Sequence, residues 1–373
     1  MTFDEFMKDP VNTLYALNEK ELYQIKQKLS ADSLKQLKKF AGEALAIPLQ
    51  SITFKSKMVL VSDKHEYESF SIYAWPDTTK ENGLPYIKKD GYQNPEHLKG
   101  DKLALRKVAY AVYYSALLYY LTNEEKYYRR MAEQLECFFI NEETKMNPNL
   151  DHGQAMPGVN DGQRGGIIDF AVSFGYSLAM LECLKSRKML KPELIKRFKP
   201  WLQSLKVWLL TSRFGHEMEQ CPNNHALVYD YLLLVISEFL DDYYHLTLIR
   251  QRYLSRMEEQ ILENGLMPQE LKRVNSRSYY FMNLKLFVEI GKLLNLDLTR
   301  YPLLKTAMTY YLTHNQSAAW EFSQEKTFPE EYDNYMLYTA KMDFKMEGQP
   351  LRKASSLQYI LFKDVYGEGN EKS

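Results

Sequence analysis

Apolar residues recur at three- and four-residue steps along most of this 373-residue chain. Leu105, Val108, Val112 and Ala116 show the pattern, which places side chains on one face of a helix. Many helix pairs joined by short loops favour an all-α fold whose helices wind into a ring or a solenoid. The same spacing predicts two helices within 1–47, one through 131–138, and others near 166–186, 192–210, 223–241, 243–263, 276–294, 302–314, 333–342 and 353–363.

Two long stretches, 48–100 and 145–166, lack this spacing and are rich in Pro, Gly, Asp and Asn. Ser51–Phe54 and Ser69–Tyr73 alternate only briefly, and we interpret them as extended loop. Thr122–Glu125 has the pattern of a capping box and predicts a helix start. Loops as long as these two stretches are usually functional in a compact domain.

Composition narrows the class of protein. The 48 basic and 48 acidic residues cancel, whereas nucleic-acid binders usually carry a basic excess, so no nucleic-acid partner is expected. No apolar run long enough to cross a membrane is recognised, and no signal peptide is visible, which leaves a cytoplasmic protein or an export signal already removed. The three cysteines form no CxxC pair, and no HExxH motif predicts zinc.

Polar residues cluster in four segments where helix packing does not require them. Any one of them has an ordinary structural explanation, such as helix capping by Asn223 or Asn224, turn formation by 147–149, or a loop entering a helix at 162–166. The segments are Ser62–Tyr67 with Tyr73–Asp77, Met146–Gln154 with Gly162–Gly166, Pro222–His225, and Glu270–Arg273 with Tyr279, Tyr280, Asn283 and Leu284.

In their order along the chain, these segments resemble the motifs of the alginate lyase domain family of polysaccharide lyases. The matching stretches, spread over roughly 50–290, are Asp63–Tyr67, Trp75–Asp77, Gly83–Ile87, Asp90–Gly91, Met146–Leu150, Gln154, Arg164–Ile167, Asn223–His225, Glu270–Arg273, Tyr279 and Asn283–Leu284. Two positions depart from the family pattern: Ala74 replaces a Trp, and Ala226 replaces a Gly. We expect a change of substrate to show first at these two positions.

The resemblance implies an incomplete (α/α) toroid that forms a single domain over 1–373. Its parts would be N-terminal helices in 1–47, a substrate or lid loop region in 48–100 and toroid helices in 101–365. It further implies a metal-independent enzyme without a cofactor, an acidic polysaccharide or oligosaccharide as partner, and a periplasmic or secreted location. The oligomeric state is open.

The resemblance assigns the chemical centre to Asn224, His225, Arg273 and Tyr279. β-Elimination of a 4-linked uronide removes the C5 proton and concentrates negative charge on the neighbouring carboxyl group, which requires fixed donors and positive charge. Arg273 suits a carboxylate because its guanidinium forms a permanent two-pronged donor, and Asn224 and His225 add further donors. Tyr279 can take the C5 proton and protonate the departing O4 if a nearby positive charge lowers its pKa.

Stereochemistry leaves two assignments of the base. In mannuronate and glucuronate the C5 hydrogen and O4 lie on the same side, so one tyrosine serves both steps, and we favour this version. In guluronate they lie on opposite faces, which fits His225 as base and Tyr279 as acid. The adjacent Tyr280 leaves the position of the tyrosine ambiguous by one residue. Substrate binding is expected from Lys64, His65, Tyr67, Trp75, Asn149, Gln154, Arg164, Asn223 and Tyr280.

Two other functions compete with a lyase acting on alginate or glucuronan. A glycoside hydrolase on a helical toroid would need a pair of carboxylates at a defined separation, and no pair is singled out. Its candidates are Asp63, Asp151, Asp169, Glu217 and Glu270. A non-catalytic helical-repeat module for a glycan or a protein would bind without turnover.

Overall fold

The computed structural model describes residues 13–98, 100–315, 319–347, 350–354 and 356–367, and residue 331 only in its backbone. These residues form two compact units, each assembled from segments distant in sequence. The first unit contains Met1–Glu43, Pro222–Leu227 and Leu246–Ser373, and the second contains Ala44–Cys221 and Val228–His245, within the described ranges. The predicted single domain over 1–373 stays a prediction.

Helices dominate both units, as the apolar spacing predicts. They are α1 (Glu19–Lys28), α2 (Ala31–Ala46), α3 (Lys102–Thr122), α4 (Glu125–Leu135), α5 (Gly165–Phe170), α6 (Tyr176–Ser186), α7 (Pro192–Thr211), α8 (Arg213–Glu219), α9 (Asn224–Leu240), α10 (Tyr243–Gln260), α11 (Pro268–Leu271), α12 (Ser276–Leu293), α13 (Pro302–His314), α14 (Asp333–Met342) and α15 (Leu357–Tyr366). Residues 136–140 and 171–175 are π-helical turns that extend α4 and join α5 to α6.

In the first unit α12 contacts α11 and α13, α14 contacts α13 and α15, and α15 contacts α1. The chain entering α1 lies in the core, where the Ala16 N–H donates to the buried Glu289 carboxylate at 3.0 Å. In the second unit α3 packs against α4 and α6, and the Phe139 ring contacts the rings of Phe174 and Trp201, with centroids 4.4 and 4.5 Å away. Each unit therefore has a core of its own.

Short strands occur in the two long loop stretches. β1 (Glu68–Phe70) pairs in parallel with β4 (His152–Ala155), and β2 (Ala74–Trp75) pairs antiparallel with β3 (Ile87–Lys88). The interpretation of Ser69–Tyr73 as plain loop is thus wrong at its start, and 52–54 is a 3₁₀ turn. The β1–β4 pair holds the two loop stretches together by backbone hydrogen bonds.

The predicted capping box at Thr122–Glu125 is wrong. Asn123 adopts the left-handed conformation that ends α3, and Thr122 Oγ1 donates to the Leu118 carbonyl at 2.8 Å. Both residues are thereby occupied by the end of one helix, and Glu124 caps α4 without a side-chain bond.

Among the described residues, Gly165–Ser186 is the helical stretch long and apolar enough to cross a membrane by length and composition. This corrects the expectation that no such run exists. In the structure 89% of its apolar window is buried, and α6 packs on α3 within the second unit. Packing in the core accounts for its hydropathy.

Two glutamates in the second unit make its stability depend on pH. Burial raises the pKa of Glu182 to about 7, and burial together with the charge of Glu182 raises the pKa of Glu238 to about 8, although the Lys185 ammonium lowers both. The folded state thus binds these protons more tightly than the unfolded chain. Their stabilising contribution is complete below the ordinary glutamate pKa of 4.5 and is lost as pH rises through 7 and 8.

We therefore expect the melting temperature to fall between pH 6 and pH 9, and Glu238→Gln to flatten this decline. Circular dichroism melts at one-unit pH intervals measure it, with Glu143→Gln, at an exposed position, as the control. An identical pH dependence in wild type and Glu238→Gln would contradict the assignment.

Candidate active site

Asn224 and His225 begin helix α9 in the first unit. The preceding Asn223 caps this helix, because its Oδ1 accepts the His225 N–H at 3.2 Å and its carbonyl accepts the Ala226 N–H at 3.0 Å. The sequence left open whether Asn223 or Asn224 is the cap. Capping by Asn223 leaves the Asn224 side chain available for another partner, while substrate binding by Asn223 stays a prediction.

That partner is Glu270, in the short helix α11 that follows α10. Its carboxylate accepts the Asn224 backbone N–H at 2.9 Å and the Asn224 Nδ2–H at 2.7 Å. Both side chains are only 1% exposed. Burial raises the pKa of Glu270, whereas the two hydrogen bonds from Asn224 and the charge of Arg273 lower it. Glu270 therefore fixes which way the Asn224 amide faces.

Arg273 and Tyr279 form the next contact in the same unit. The Arg273 backbone N–H donates to the Glu270 carbonyl at 3.2 Å, and its Nη2 donates to the Tyr279 hydroxyl oxygen at 2.7 Å. The guanidinium carbon lies 3.6 Å from the centre of the Tyr279 ring. Since a hydroxyl that accepts from a cation is stabilised as phenolate, this geometry suits a tyrosine that exchanges protons.

Tyr280 is placed quite differently from its neighbour. It is completely buried, and its hydroxyl donates to the Gly265 carbonyl at 2.5 Å, with the Ala307 carbonyl 3.1 Å away. Burial raises the pKa of Tyr280 well above the usual 10.0. The predicted role of Tyr280 in substrate binding is therefore wrong, because the core encloses the residue and occupies its hydroxyl, while Tyr279 as the proton carrier stays a prediction.

In the second unit, hydrogen bonds from Asn147 hold the segment that contains Lys64 and His65 in place. Asn147 Nδ2 donates to the carboxylates of Asp63 at 3.2 Å and Glu66 at 2.7 Å, and the Asn147 N–H donates to the His65 carbonyl at 2.9 Å. His65 Nδ1 lies 2.7 Å from the Lys145 carbonyl, which can only accept, so Nδ1 carries the proton. The hydrogen bonds from Asn147 to Asp63 and Glu66 form a clasp, and Lys64, which lies between these two residues in sequence, is exposed.

Gln154 and Tyr67 join a buried network around Asp169. Asp169 Oδ2 accepts the Tyr67 hydroxyl at 3.2 Å and the Ser69 hydroxyl at 2.7 Å. Its Oδ1 accepts Gln154 Nε2 at 2.8 Å and pairs with the Lys102 ammonium at 3.1 Å. Because the Tyr67 ring is 0% exposed, the predicted role of Tyr67 in substrate binding is wrong. Gln154 is half-buried, with one amide N–H held by Asp169.

Three more predicted binding residues lie on the loops of the second unit. The Trp75 indole N–H donates to the Tyr92 carbonyl at 2.8 Å, and the Lys89 ammonium lies 5.5 Å from its ring centre. Asn149 Oδ1 accepts the backbone N–H two residues on, which is turn chemistry. Arg164 is 45% exposed in its side chain and lies 4.0 Å from the Glu217 carboxylate. Their contact with substrate stays a prediction.

The departures from the family pattern occupy packed positions. Ala74 is 2% exposed and its carbonyl accepts the Asn94 side-chain amide at 2.8 Å, while Ala226 is completely buried. Neither side chain reaches the surface, so an effect of either position on the substrate would act through neighbouring residues, and the expected change of substrate stays a prediction.

Sequence reasoning missed the connecting role of three residues. Asp169 stood only as a hydrolase candidate, Glu270 stood as a hydrolase candidate and as part of a motif, and Asn147 stood only as part of a motif and of a predicted turn. The Glu-Leu-Lys-Arg motif already placed Glu270 three residues before Arg273, which was a usable signal. Nothing in the sequence indicates the partners of Asp169. Within the described part of the chain, no group of three His, Cys, Asp or Glu side chains could hold a metal ion.

Comparisons with known proteins match most of this chain. The family model described as Alginate lyase matches residues 52–303. No curated protein sequence matches this chain. The structure is similar to that of an alginate lyase from Bacteroides ovatus, with 29% identity and a TM-score of 0.80 over 88% of this chain and 91% of that chain.

Two further solved structures are similar in fold at 14% identity. One is alginate lyase A1-III from Sphingomonas species A1, with a TM-score of 0.57 over 95% of this chain and 98% of that one. The other is a His-to-Ala variant of A1-III complexed with a tetrasaccharide, with a TM-score of 0.58 over 95% and 96% of the two chains. These matches confirm the predicted fold class, the (α/α) toroid of this family.

Proposed function

Because this chain belongs to the alginate lyase family and is a polysaccharide lyase, we propose that it cleaves alginate by β-elimination at mannuronate residues. The products would carry a 4,5-unsaturated uronate at the new non-reducing end. In the proposed mechanism Tyr279 moves both protons, and Asn224, His225 and Arg273 stabilise the charge on the C5 carboxyl group.

The contact between Arg273 and Tyr279 is the observation that carries this proposal. A tyrosine acts as a base only as phenolate, and the guanidinium 2.7 Å from its oxygen supplies a fixed positive charge for that form. After the phenolate takes the C5 proton, the same hydroxyl can deliver a proton to O4. Both atoms lie on one side of a mannuronate ring, so a single half-exposed tyrosine meets the need.

The C5 carboxylate needs donors that are fixed before the reaction begins. Asn224 is held by two hydrogen bonds to Glu270, and Arg273 is held by its backbone contact to the same residue. His225 follows Asn224 in the first turn of α9 and can add a ring N–H or a charge. Donors held in this way need no rearrangement as charge develops, which is how such sites lower the barrier.

Similar proteins support alginate as the substrate class. The protein from Bacteroides ovatus at 29% identity is an alginate lyase. Variants of the Sphingomonas lyase, one lacking a histidine and one lacking a tyrosine hydroxyl, were each complexed with a tetrasaccharide. Because the family match and the similar structure are those of lyases, we prefer elimination to hydrolysis and to binding without turnover.

The test is an ultraviolet assay with polymannuronate, polyguluronate and glucuronan as separate substrates. The new C4–C5 double bond absorbs, and we expect absorbance to rise fastest with polymannuronate. A rise with glucuronan alone would move the substrate class while keeping the chemistry. Reducing ends without absorbance, from folded protein, would refute elimination.

A further inference from the structure

Glu270 is a buried acidic residue inside a set that must bind and stabilise negative charge. A carboxylate at this place opposes the substrate's own carboxylate, so its presence needs an explanation. Its contacts supply one: both of its oxygens accept hydrogen bonds from Asn224, one from the backbone and one from the side chain. Its backbone carbonyl accepts from Arg273.

From these contacts we infer that Glu270 is a positioning residue for Asn224. Its carboxylate holds the Asn224 amide with Nδ2, rather than Oδ1, turned toward Glu270. The second N–H of that amide is thereby aimed at the substrate carboxylate. This inference rests on the proposed function, in which Asn224 stabilises the C5 carboxyl group. A carboxylate only accepts, so it excludes the flipped amide, which would place two acceptors face to face.

The chemistry of the position predicts that a neutral residue of the same size cannot replace Glu270. Glutamine offers one acceptor and one donor. If its oxygen accepts from Asn224 Nδ2, its own amide group faces the Asn224 backbone N–H, and two donors then meet in a buried place. Aspartate keeps both acceptor oxygens but is shorter by one methylene group. The order of activity should therefore be Glu, then Asp, then Gln.

Kinetics in a double-mutant cycle test the inference. Glu270→Gln should lower kcat by about 10²-fold, the effect of losing one oriented donor, with KM changed by less than about threefold. In an Asn224→Ala background the same substitution should change kcat by less than about threefold, because the residue it orients is gone. Glu270→Asp should lie between wild type and Glu270→Gln, and Glu263→Gln, at an exposed position, is the control.

A second measurement does not depend on any substrate. With asparagine labelled by ¹⁵N, the Asn224 side-chain amide is assigned by its absence in Asn224→Ala. Its exchange with water should be at least about tenfold faster in Glu270→Gln than in wild type, because its charged acceptor is lost. Unchanged exchange, or equal losses of kcat in both backgrounds, would overturn the positioning role. An inactive wild type with the expected exchange would instead count against the proposed substrate.

Discussion

Replacing Tyr279 with Phe should lower kcat on polymannuronate by at least about 10³-fold, since one hydroxyl both removes and returns a proton in the proposed mechanism. The substitution deletes only the oxygen that accepts from Arg273 Nη2. The ring stays in place beneath the guanidinium carbon, 3.6 Å from the ring centre. We therefore expect the melting temperature to change little. Initial rates from ultraviolet absorbance and circular dichroism melts measure the two effects.

Tyr280→Phe is the matched control, because the neighbouring residue loses the same atom. Its hydroxyl donates to backbone in the core, so the carbonyls of Gly265 and Ala307 would lose a partner. This should cost about 1–2 kcal/mol of stability and leave kcat near that of wild type. Full activity in Tyr279→Phe together with loss of activity in folded Tyr280→Phe would show that Tyr280, and not Tyr279, transfers the proton.

Replacing Asp169 with Asn should lower the free energy of unfolding by about 3–5 kcal/mol, the range for breaking a buried ion pair. Lys102 and Asp169 have side chains only 2% and 3% exposed, and their atoms lie 3.1 Å apart. Burial lowers the pKa of Lys102 and the charge of Asp169 opposes this. The variant leaves that ammonium buried without its counter-charge. Urea unfolding measures the loss.

A double variant separates charge from packing at this site. Lys102→Met combined with Asp169→Asn removes the unpaired ammonium, so part of the lost stability should return. Asp161→Asn, at an exposed position of the same unit, is the control and should cost less than about 0.5 kcal/mol. A cost for Asp169→Asn as small as that of the control would mean that the network of Asp169 contributes nothing.

The helices were predictable because apolar side chains must share one face at a period of 3.6 residues. The predicted stretch 276–294, for example, is observed as Ser276–Leu293. Helix ends were less predictable, as at Thr122 and Asn123, where the end of α3 competes with the start of α4 for the same polar groups. Local sequence does not decide such a competition.

The site was predictable as a set of motifs but not as a set of contacts. Sequence cannot distinguish a tyrosine that faces solvent from an adjacent one that faces the core, yet Tyr279 and Tyr280 differ in this way. Tyr67 was misassigned for the same reason, since the acceptor of its hydroxyl, Asp169, lies 102 residues away. Side-chain partners this distant depend on the tertiary fold.

The clasp formed by Asn147 on Asp63 and Glu66 has a consequence for binding strength. A cation on a loose loop must lose backbone freedom when a ligand binds, and this weakens the complex by about 1–2 kcal/mol for each residue that becomes ordered. Lys64 stands on backbone already fixed by neighbouring hydrogen bonds, so its own rotamers are the main freedom left to lose. When an anionic sugar binds Lys64, little free energy would therefore be lost to ordering the backbone. Most of the favourable energy of that contact would then contribute to affinity.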